Sequence, residues 1–541
     1  MDLISVANYA TAHWAIALAS STLLYFVISA IYNLYVGPLA KYPGPFFAKI
    51  SSWPNFYHSL TGYRHIWIWQ CHQIYGETFR YKPNGLLFDS PRAFRTIHGA
   101  KANVKRAKFY EFWSRNSKDV HTLSTVDPGV HARKRKVLNQ AFSAQAIRSA
   151  EGFVVKHIDR WCELLIQDND GEQWTEPQNL AHLVDHLTFD IMGDLSFGRS
   201  MDTKEPGSNP FKAIPHIIAD YLQFMYPISN SPILSWWVWM KPRGLDAVFQ
   251  LLTPPGVKAY YEFIESSVSK RKLEEEEFEK NGTEKGGGRK DMFHYLFKTR
   301  DEQGNPAYST DELYAEANLL VIAGVDTTAI ALCSFFFYMI RRPGCYSRLI
   351  KELRATFDSA DEIQSGPKLS SCAYLQACVN EGMRLGSGGP ADAPRVVLKG
   401  GLDINGDHLT EGTCVGVSSW TISHNESHYG DPWTYRPERW VVDEKAGVSP
   451  EDVTRAQEAF NPFLIGTGNC VGQKLAMMEL LLVTAKTLYR MDVRQAPGDY
   501  LGGGSLEKGW GMRDPNHFQV KDAYVSLRDG PRVQFRKRVT K

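Results

Sequence analysis

The sequence predicts a mainly α-helical protein with small β-sheets, preceded by a single N-terminal transmembrane helix. Three observations support this fold class: an uncharged apolar stretch near the N-terminus, helical periodicity over most of the following chain, and only a few short runs of strand character. With 541 residues, of which 43% are hydrophobic and 22% charged, the chain can bury a large core as one domain or two.

The N-terminal stretch has the length and composition of a membrane span. No charged residue occurs between Tyr9 and Leu39, and residues 14–36 are long enough at helical rise to cross a hydrocarbon core. A cleaved signal peptide is the alternative, but the run is longer than an ordinary signal core and only Asp2 precedes it where positive charge is expected. Basic residues from Lys41 onward place the rest of the chain in the cytosol by the positive-inside rule.

A proline-rich segment separates this anchor from the rest of the chain. In KYPGPFF, which begins at Lys41, two prolines flank Gly44 and prevent the helix from continuing. We therefore expect residues 1–40 to form the anchor and residues 41–541 to form the soluble domain. The soluble part is mainly helical to about Gly400. Its clearest predicted helices are His182–Leu195 and Asp311–Met339. The few strand candidates are Thr78–Tyr81, Leu86–Asp89, Arg395–Leu398 and Tyr524–Leu527.

Charge and cysteine content exclude two classes of protein. The 61 Lys+Arg and 59 Asp+Glu leave a formal net charge of +2, which gives no reason to expect a nucleic-acid partner. The eight cysteines form no Cys-x-x-Cys pair and are too sparse for a disulfide framework, so a reducing compartment is expected. The segment Arg271–Asp291 is charged and then glycine-rich, which predicts a solvated helix end followed by a loop.

One cysteine stands among glycines immediately before a long apolar run, in FLIGTGNCVGQKLAMMELLLVTAK at positions 463–486. The apolar run predicts a buried helix, so Cys470 faces the positive end of the helix dipole, which lowers the pKa of a thiol. Gly466, Gly468 and Gly472 permit turns and close approach, so a planar cofactor can pack there. From this stretch alone, a buried structural cysteine is an equally good interpretation.

The order F-x-x-G-x-(basic)-x-C-x-G resembles the signature of the haem-thiolate monooxygenases, the cytochromes P450. Phe463, Gly466, Cys470 and Gly472 match it, whereas Gly468 stands where the family usually has a basic residue that binds a haem propionate. The resemblance implies the cytochrome P450 fold for residues 41–541 as a haem domain. It also implies haem b (iron protoporphyrin IX) as the cofactor, with Cys470 as the metal ligand.

Three cations elsewhere in the chain match the family's propionate-binding positions. His131 and Arg135 resemble the family's W-x-x-x-R helix with His in place of Trp, and they lie one turn apart on one helix face. Arg395, in Ala393-Pro394-Arg395, resembles a strand residue that reaches a propionate. The resemblance therefore implies that His131, Arg135 and Arg395 compensate for Gly468.

Two further motifs appear in the family's order. Glu381-Gly-Met-Arg384 resembles the E-x-x-R helix, and Arg439 in Pro437-Glu-Arg-Trp completes a Glu-Arg-Arg cluster, which is tolerable in a core only if fully paired. Taken alone, Glu381 and Arg384 would form an ordinary surface ion pair. The cluster's implied role is structural.

The second motif, Ala323-Gly-Val-Asp326-Thr327-Thr, places an acid and two hydroxyls in an apolar helix, where they can open a polar notch. The alternative is a helix irregularity without chemistry. In the family, the residues that match Asp326 and Thr327 manage the protons needed to reduce dioxygen. The resemblance therefore implies catalytic roles for both.

The resemblance implies a monooxygenase that inserts one oxygen atom from O2 into a lipophilic small molecule. Its electrons come from NADPH through NADPH–cytochrome P450 reductase, and cytochrome b5 is an additional candidate partner. The sequence most resembles fungal microsomal members, in GLDINGDHLTEGT and SHNESHYGDPWTYRPERW, which implies a secondary metabolite such as a terpenoid, polyketide or alkaloid. We expect a single-pass protein of the endoplasmic reticulum membrane with a cytosolic catalytic domain. The basic residues Arg133, Lys134 and Lys136 form either a solvated helix face or the reductase docking site.

Two other functions remain open at this point. Some members of the fold isomerise or dehydrate without O2, and the presence of Asp326 and Thr327 counts against them; a non-catalytic haem protein would leave those residues without a purpose. The tryptophan-rich segment Met225–Met240 is either a membrane-dipping element or a buried core turn. The substrate-facing segments implied by family position are Phe109–Leu123, Ile214–Trp239, Leu320–Thr327, Gly386–Asp392 and Gly502–Gly509.

Overall fold

The computed structural model describes residues 3–116, 119–167, 173–280 and 290–538. The predicted glycine-rich loop at positions 281–289 lies outside these ranges. Within them the chain is mainly helical. The α-helices are α1 (Leu3–Ile31), α2 (Phe46–Ile50), α3 (Trp53–Leu60), α4 (Arg64–Tyr75), α5 (Pro91–His98), α6 (Pro128–Ala141), α7 (Ala144–Leu165), α8 (Leu180–Phe197), α9 (Ile214–Ser229), α10 (Leu234–Met240), α11 (Leu245–Leu252), α12 (Pro255–Lys280), α13 (Met292–Lys298), α14 (Thr310–Met339), α15 (Pro343–Thr356), α16 (Pro367–Ser370), α17 (Ala373–Leu385), α18 (Ser419–Ser423), α19 (Glu426–Tyr429), α20 (Pro450–Ala459) and α21 (Gln473–Arg490).

Small β-sheets complete the fold, as the sequence predicts. The strands are β1 (Thr78–Lys82), β2 (Gly85–Phe88), β3 (Val104–Arg106), β4 (Gln178–Asn179), β5 (Arg395–Val397), β6 (Leu402–Ile404), β7 (Asp407–Leu409), β8 (Cys414–Val417), β9 (Met491–Gln495), β10 (Lys521–Ala523), β11 (Val525–Leu527) and β12 (Arg532–Lys537). One sheet has the order β1-β2-β8-β5-β3, a second has β4-β12-β9, and the pairs β6-β7 and β10-β11 are separate hairpins. The four predicted strands are confirmed as β1, β2, β5 and β11, with ends that differ by one residue.

The predicted anchor corresponds to α1 and the π-helical turn Tyr32–Val36 that follows it. Residues His13–Val36 form a candidate membrane span with a mean hydropathy of 1.9, and none of that window is buried in the protein. Helix α14 is apolar enough to pass the same test, but 72% of its window is buried. It is therefore a core helix, and the N-terminal segment is the candidate span.

The segment that follows the anchor packs against the soluble domain. The backbone N–H of Arg80 in β1 donates to the Pro43 carbonyl at 2.8 Å. Leu39 and Tyr42 are buried. A Cβ atom at Gly44 would lie 2.3 Å from the Arg80 carbonyl oxygen, so glycine is required for this contact. The linker is thus an ordered part of the domain surface.

Helix α14 runs through the core and carries Asp326 and Thr327, where the sequence predicts a polar notch. It begins with a capping box between Ser309 and Glu312, and it packs closely against α8 and α17. A Cβ atom at Gly324 would lie 2.5 Å from the Met192 sulfur on α8, so a larger residue here would displace the Met192 side chain. Close packing therefore fixes the position of the Asp326-Thr327 pair.

The predicted Glu-Arg-Arg cluster is confirmed beneath the site. Arg384 donates to both carboxylate oxygens of Glu381, at 2.8 and 2.9 Å, and Arg439 Nε donates to Oε1 at 3.0 Å. Trp440 Nε1 donates to Glu381 Oε2 at 3.0 Å, and the Arg436 backbone N–H donates to Oε1 at 2.9 Å. These charges are fully buried, and pairing on this scale is what makes their burial tolerable.

Candidate active site

The loop from Phe463 to Gly472 is shaped by its glycines. The Cys470 N–H donates to the Phe463 carbonyl at 2.8 Å, which closes the loop around a 3₁₀ turn at Gly466–Gly468. Gly466 has a φ of +68°, and a Cβ atom there would lie 2.2 Å from the His98 carbonyl oxygen. Glycine is required at this position, whereas a Cβ atom at Gly472 would make only ordinary contacts, at 3.6 Å or more.

Cys470 lies immediately before α21, as predicted, and its side chain is accessible to solvent. Burial by the surrounding atoms raises the pKa of its thiol. The N–H groups of Gly472 and Gln473 and the charge of Arg135 act in the opposite direction without outweighing it. The predicted net lowering of the thiol pKa is therefore wrong, although the helix-terminus contribution is present. A coordinating metal deprotonates a thiol outright, so ligation does not depend on this pKa.

Arg395 occupies the space that a side chain at position 468 would need. A Cβ atom at Gly468 would lie 2.8 Å from Arg395 Nη2. The basic residue that the family usually carries at this point is thus replaced in space by a guanidinium from β5. The Arg395 side chain is held by its Nη1, which donates to the Tyr110 hydroxyl and to the carbonyls of Ala393 and Pro394 at 3.2 Å.

Arg395 belongs to a group of four cationic or potentially cationic side chains, with Arg106, Arg135 and His131. Arg135 Nη2 donates to Asn469 Oδ1 at 2.7 Å, in the cysteine loop itself, and Arg106 Nη1 donates to the Leu123 carbonyl at 2.9 Å. Burial, together with repulsion from the three arginines, lowers the pKa of His131 to about 4. The sequence analysis did not identify Arg106, because several basic residues surround it and only the sheet register selects it.

This group has the chemistry of an anion site. Within the described part of the chain, none of the three arginines pairs with a carboxylate. Their partners are carbonyl, amide and hydroxyl oxygens. His131 Nε2 is buried without a hydrogen-bond partner. Two haem propionates would supply the negative charge that such a group requires, next to a cysteine sulfur. The residues present therefore fit haem b.

Asp326 and Thr327 point in different directions from α14. Asp326 is buried and lies 3.3 Å from Arg528 Nη1, and Arg528 also pairs with Asp185 of α8. Burial raises the pKa of the Asp326 carboxyl to about 7. Thr327 is only half-buried, and its hydroxyl donates to the Ala323 carbonyl at 2.7 Å. Ala323 is exposed on the same open face of the helix.

The open face of α14 meets a wall built from three other segments. A Cβ atom at Gly388 would lie 3.5 Å from Thr327 Cβ, and the Gly388 carbonyl accepts from the Ser526 N–H of β11 at 3.0 Å. Tyr524, at the hairpin tip with a φ of +73°, packs 5.5 Å from Phe109 and 5.4 Å from Trp113 between ring centroids. This hairpin was not among the predicted substrate-facing segments.

The basic residues of α6 have separate environments. Lys134 is buried, 3.0 Å from Glu312 and 3.5 Å from Glu316 of α14, so for this residue both the solvated and the docking interpretations are wrong. Arg133 pairs with Glu312 while remaining exposed, and Lys136 is exposed. The surface charge of α6 is therefore smaller than its sequence indicates.

Comparison with known proteins gives a consistent result. The family model for cytochrome P450 matches residues 45–501. The chain is 34% identical to the cytochrome P450 monooxygenase apf7 of Gibberella fujikuroi, over 95% of this chain and 96% of the relative. It is 31% identical to AKT7 of Alternaria alternata, over 96% and 97%, and 32% identical to fscF of Fusarium equiseti, over 97% of each chain. Both of these relatives are also named cytochrome P450 monooxygenases.

Proposed function

The chain belongs to the cytochrome P450 family, an oxidoreductase family that binds haem b through a cysteine thiolate, and we propose that it inserts one oxygen atom from O2 into a lipophilic secondary metabolite. The observation that carries the proposal is the placement of Cys470 beside three arginines, one buried and two partly buried, that pair with no carboxylate among the described residues. A single constellation thus offers a metal ligand and an anion site of the kind that haem b requires.

Each residue of the constellation has a defined role in this proposal. Cys470 would ligate the haem iron, and Arg106, Arg135 and Arg395 would hold the propionates with His131 beside them. When bound, haem b with a thiolate ligand would supply the activation of O2 and the oxidation of an unactivated C–H bond. The chain's own contribution is to hold the cofactor, to orient the substrate and to deliver protons.

Proton delivery is assigned to the two neighbouring residues of α14. Asp326 is buried against Arg528 on one side of the helix, and Thr327 lies on the open face beside Gly388. Asp326 relays protons from its buried side, while Thr327 positions water where oxygen is reduced. An isomerase or dehydratase of the same fold would not need this pair, so its presence supports oxygen chemistry.

The membrane setting supports a lipophilic substrate. The exposed apolar side chains include Trp236 and Trp239 of α10 and Phe46 and Phe47 beside the anchor. Aromatic side chains of this kind favour the membrane interface. We propose a single-pass location in the endoplasmic reticulum membrane, with NADPH–cytochrome P450 reductase as electron donor and cytochrome b5 as a second partner. The named relatives are fungal cytochrome P450 monooxygenases, and we propose a terpenoid, polyketide or alkaloid as the substrate class from the resemblance to fungal microsomal members.

An isotope experiment tests the proposal. Microsomes containing the protein and its reductase are first screened for metabolites that shift the haem spin state, and a binding metabolite is then incubated with NADPH under oxygen-18 gas. The expected product gains one labelled oxygen atom. A product of unchanged oxygen content, or one labelled only from water, would instead support isomerisation or dehydration.

A further inference from the structure

A buried polar hub lies between α4, α9 and the C-terminal hairpin. Arg64 Nη1 donates to Asp392 Oδ1 at 2.6 Å and to the Tyr226 hydroxyl at 3.2 Å. The Tyr226 hydroxyl donates to Asp522 Oδ2 at 2.8 Å, and Arg64 Nε donates to Asn55 Oδ1 at 2.6 Å. All five side chains are buried. The hub thus connects five separate segments of the chain, and Arg64 bonds directly to three of the other four.

The outer side of this hub is apolar and exposed. Helices α3 and α9 pack together above it. Trp53 and Tyr57 on α3, Phe224 on α9, and Trp239 on the following α10 are each more than half exposed. Apolar surface of this extent, close to the candidate membrane span, is where a lipophilic ligand would first meet the protein.

The inner side of the hub is the aromatic wall of the site. The Tyr226 ring packs edge-on against Phe109 at 6.1 Å, and Phe109 contacts Tyr524 and Trp113. Asp522 also accepts a hydrogen bond from the Tyr524 N–H at 3.2 Å, so the same carboxylate that binds the Tyr226 hydroxyl supports the hairpin tip. Helix α9, which carries both the exposed Phe224 and the wall residue Tyr226, packs against β10, and this contact is the seam.

We propose that the Tyr226 hydroxyl acts as a latch: its hydrogen bonds to Asp522 and Arg64 hold α9 against β10 and thereby limit the size of ligand that enters. This inference rests on the proposed function in one respect, because it takes the space beside Thr327 as the substrate site. Separating α9 from β10 requires the Tyr226 hydroxyl to leave Asp522 and Arg64. Arg64 keeps Asp392, but the buried Asp522 Oδ2 loses its Tyr226 donor, which is costly. A bulky ligand must break this contact to pass, whereas a small one need not.

The test compares two imidazoles that bind the haem iron and shift its Soret band: imidazole itself and a triphenylmethyl-substituted imidazole. Stopped-flow association and dissociation are measured on the full-length ferric holoprotein and on Tyr226→Phe, which removes the hydroxyl and keeps the ring. We expect both rates for the bulky ligand to rise about tenfold, equivalent to about 1.4 kcal/mol of barrier. The rates for imidazole should change less than about twofold, equivalent to about 0.4 kcal/mol.

Tyr221→Phe is the matched control, because Tyr221 lies on the same helix and its hydroxyl bonds to Tyr261 outside the hub. It should leave both ligands' rates unchanged. The proposal would be overturned if Tyr226→Phe accelerated the two imidazoles equally, or if it had no effect on the bulky ligand. It would also be overturned if Tyr221→Phe had the same effect as Tyr226→Phe.

If Tyr226→Phe does not retain haem, the same association and dissociation rates are measured on Asp522→Asn, which keeps the side-chain volume but removes the charge. The same outcomes then support or overturn the proposal. Failure of the haem-thiolate assignment is distinguishable from failure of the latch, since it would abolish the thiolate-type carbon monoxide band in the unmodified protein.

Discussion

Arg106 of β3 and Arg395 of β5 lie directly opposite each other in an antiparallel register. Directly opposed residues point to the same face of a sheet, and like charges placed in this way repel. Arg395 is buried and Arg106 is partly buried, and desolvation together with repulsion from Arg395 and Arg135 lowers the pKa of Arg106. A pair of this kind is stable where an anion lies between its members.

The first prediction concerns retention of haem. Arg135→Ala combined with Arg395→Ala should release haem much faster than the unmodified protein, because each charge-assisted hydrogen bond contributes about 1.5–3 kcal/mol. Arg106→Gln should act in the same direction with a smaller effect. The rate of haem transfer to apomyoglobin measures this. Arg92→Gln, on the exposed face of α5, is the control, and a double variant with an unchanged transfer rate would exclude the assignment.

The second prediction separates Asp326 from Thr327. Thr327→Ala should continue to consume oxygen while diverting electrons to hydrogen peroxide, because water is no longer positioned on the open face of α14. Asp326→Asn should slow turnover with coupling better preserved, and positioned proton transfer is worth roughly 10²–10⁴-fold. Product and peroxide per NADPH are the measurements. Thr327→Ser keeps a hydroxyl and should restore coupling. Unchanged rates and coupling in both Thr327→Ala and Asp326→Asn would contradict the proton relay.

The third prediction concerns stability and pH. Burial raises the pKa of Glu479 on α21 from its ordinary 4.5 to about 8. The folded protein therefore holds a proton that the unfolded chain releases, so this group's contribution to stability falls as pH rises from about 4.5 to about 8. Glu479→Gln cannot ionise, and its advantage over the unmodified protein should grow across that window by at most about 1.4 kcal/mol per pH unit.

The measurement is the thermal unfolding midpoint of the holoprotein at pH 5.5 and pH 8.5. In Glu451→Gln, at an exposed position on α20, the midpoint should change between the two pH values by the same amount as in the unmodified protein. If the midpoint of Glu479→Gln also changes by that amount, the Glu479 carboxyl is not protonated in the folded protein at neutral pH.

The fourth prediction concerns the boundary of the anchor. Removing residues 1–36 should release the protein from membranes at least in part and leave haem binding intact, since no side chain in the span is buried in the domain. Removing residues 1–42 also deletes Leu39 and Tyr42, which are buried, and should lower the unfolding temperature. Sedimentation with membranes measures the release, the carbon monoxide spectrum measures haem binding, and thermal unfolding measures the loss of stability in the longer deletion. Loss of all haem in the shorter deletion would contradict this division.

Local motifs could be predicted from the sequence because their spacing is set by a single element. Glu381 and Arg384 lie one helical turn apart, and Cys470 immediately precedes an apolar run, so the chain itself fixes their geometry. The long helix α14 was equally clear. Most strands were not predicted: β3 has three residues and almost no periodic signal, and the longer β8, β9 and β12 were missed as well.

Contacts between distant segments could not be predicted. Arg106 is distinguished from its basic neighbours only by its register with Arg395, and Lys134 is buried because Glu316 approaches it from α14. Tyr524 reaches the site only because a hairpin near the C-terminus folds over Gly388. In each case the deciding partner lies far away in the sequence, and a single sequence carries no record of that pairing.

The most direct test of the haem-thiolate assignment is the spectrum of the reduced carbon monoxide adduct for Cys470→Ala. The unmodified protein should show the thiolate-type Soret band, and Cys470→Ala should lack it. Cys345→Ala, which changes the only other cysteine that is not fully buried, should retain it. Persistence of the thiolate-type band in Cys470→Ala would contradict the assignment of Cys470 as the metal ligand.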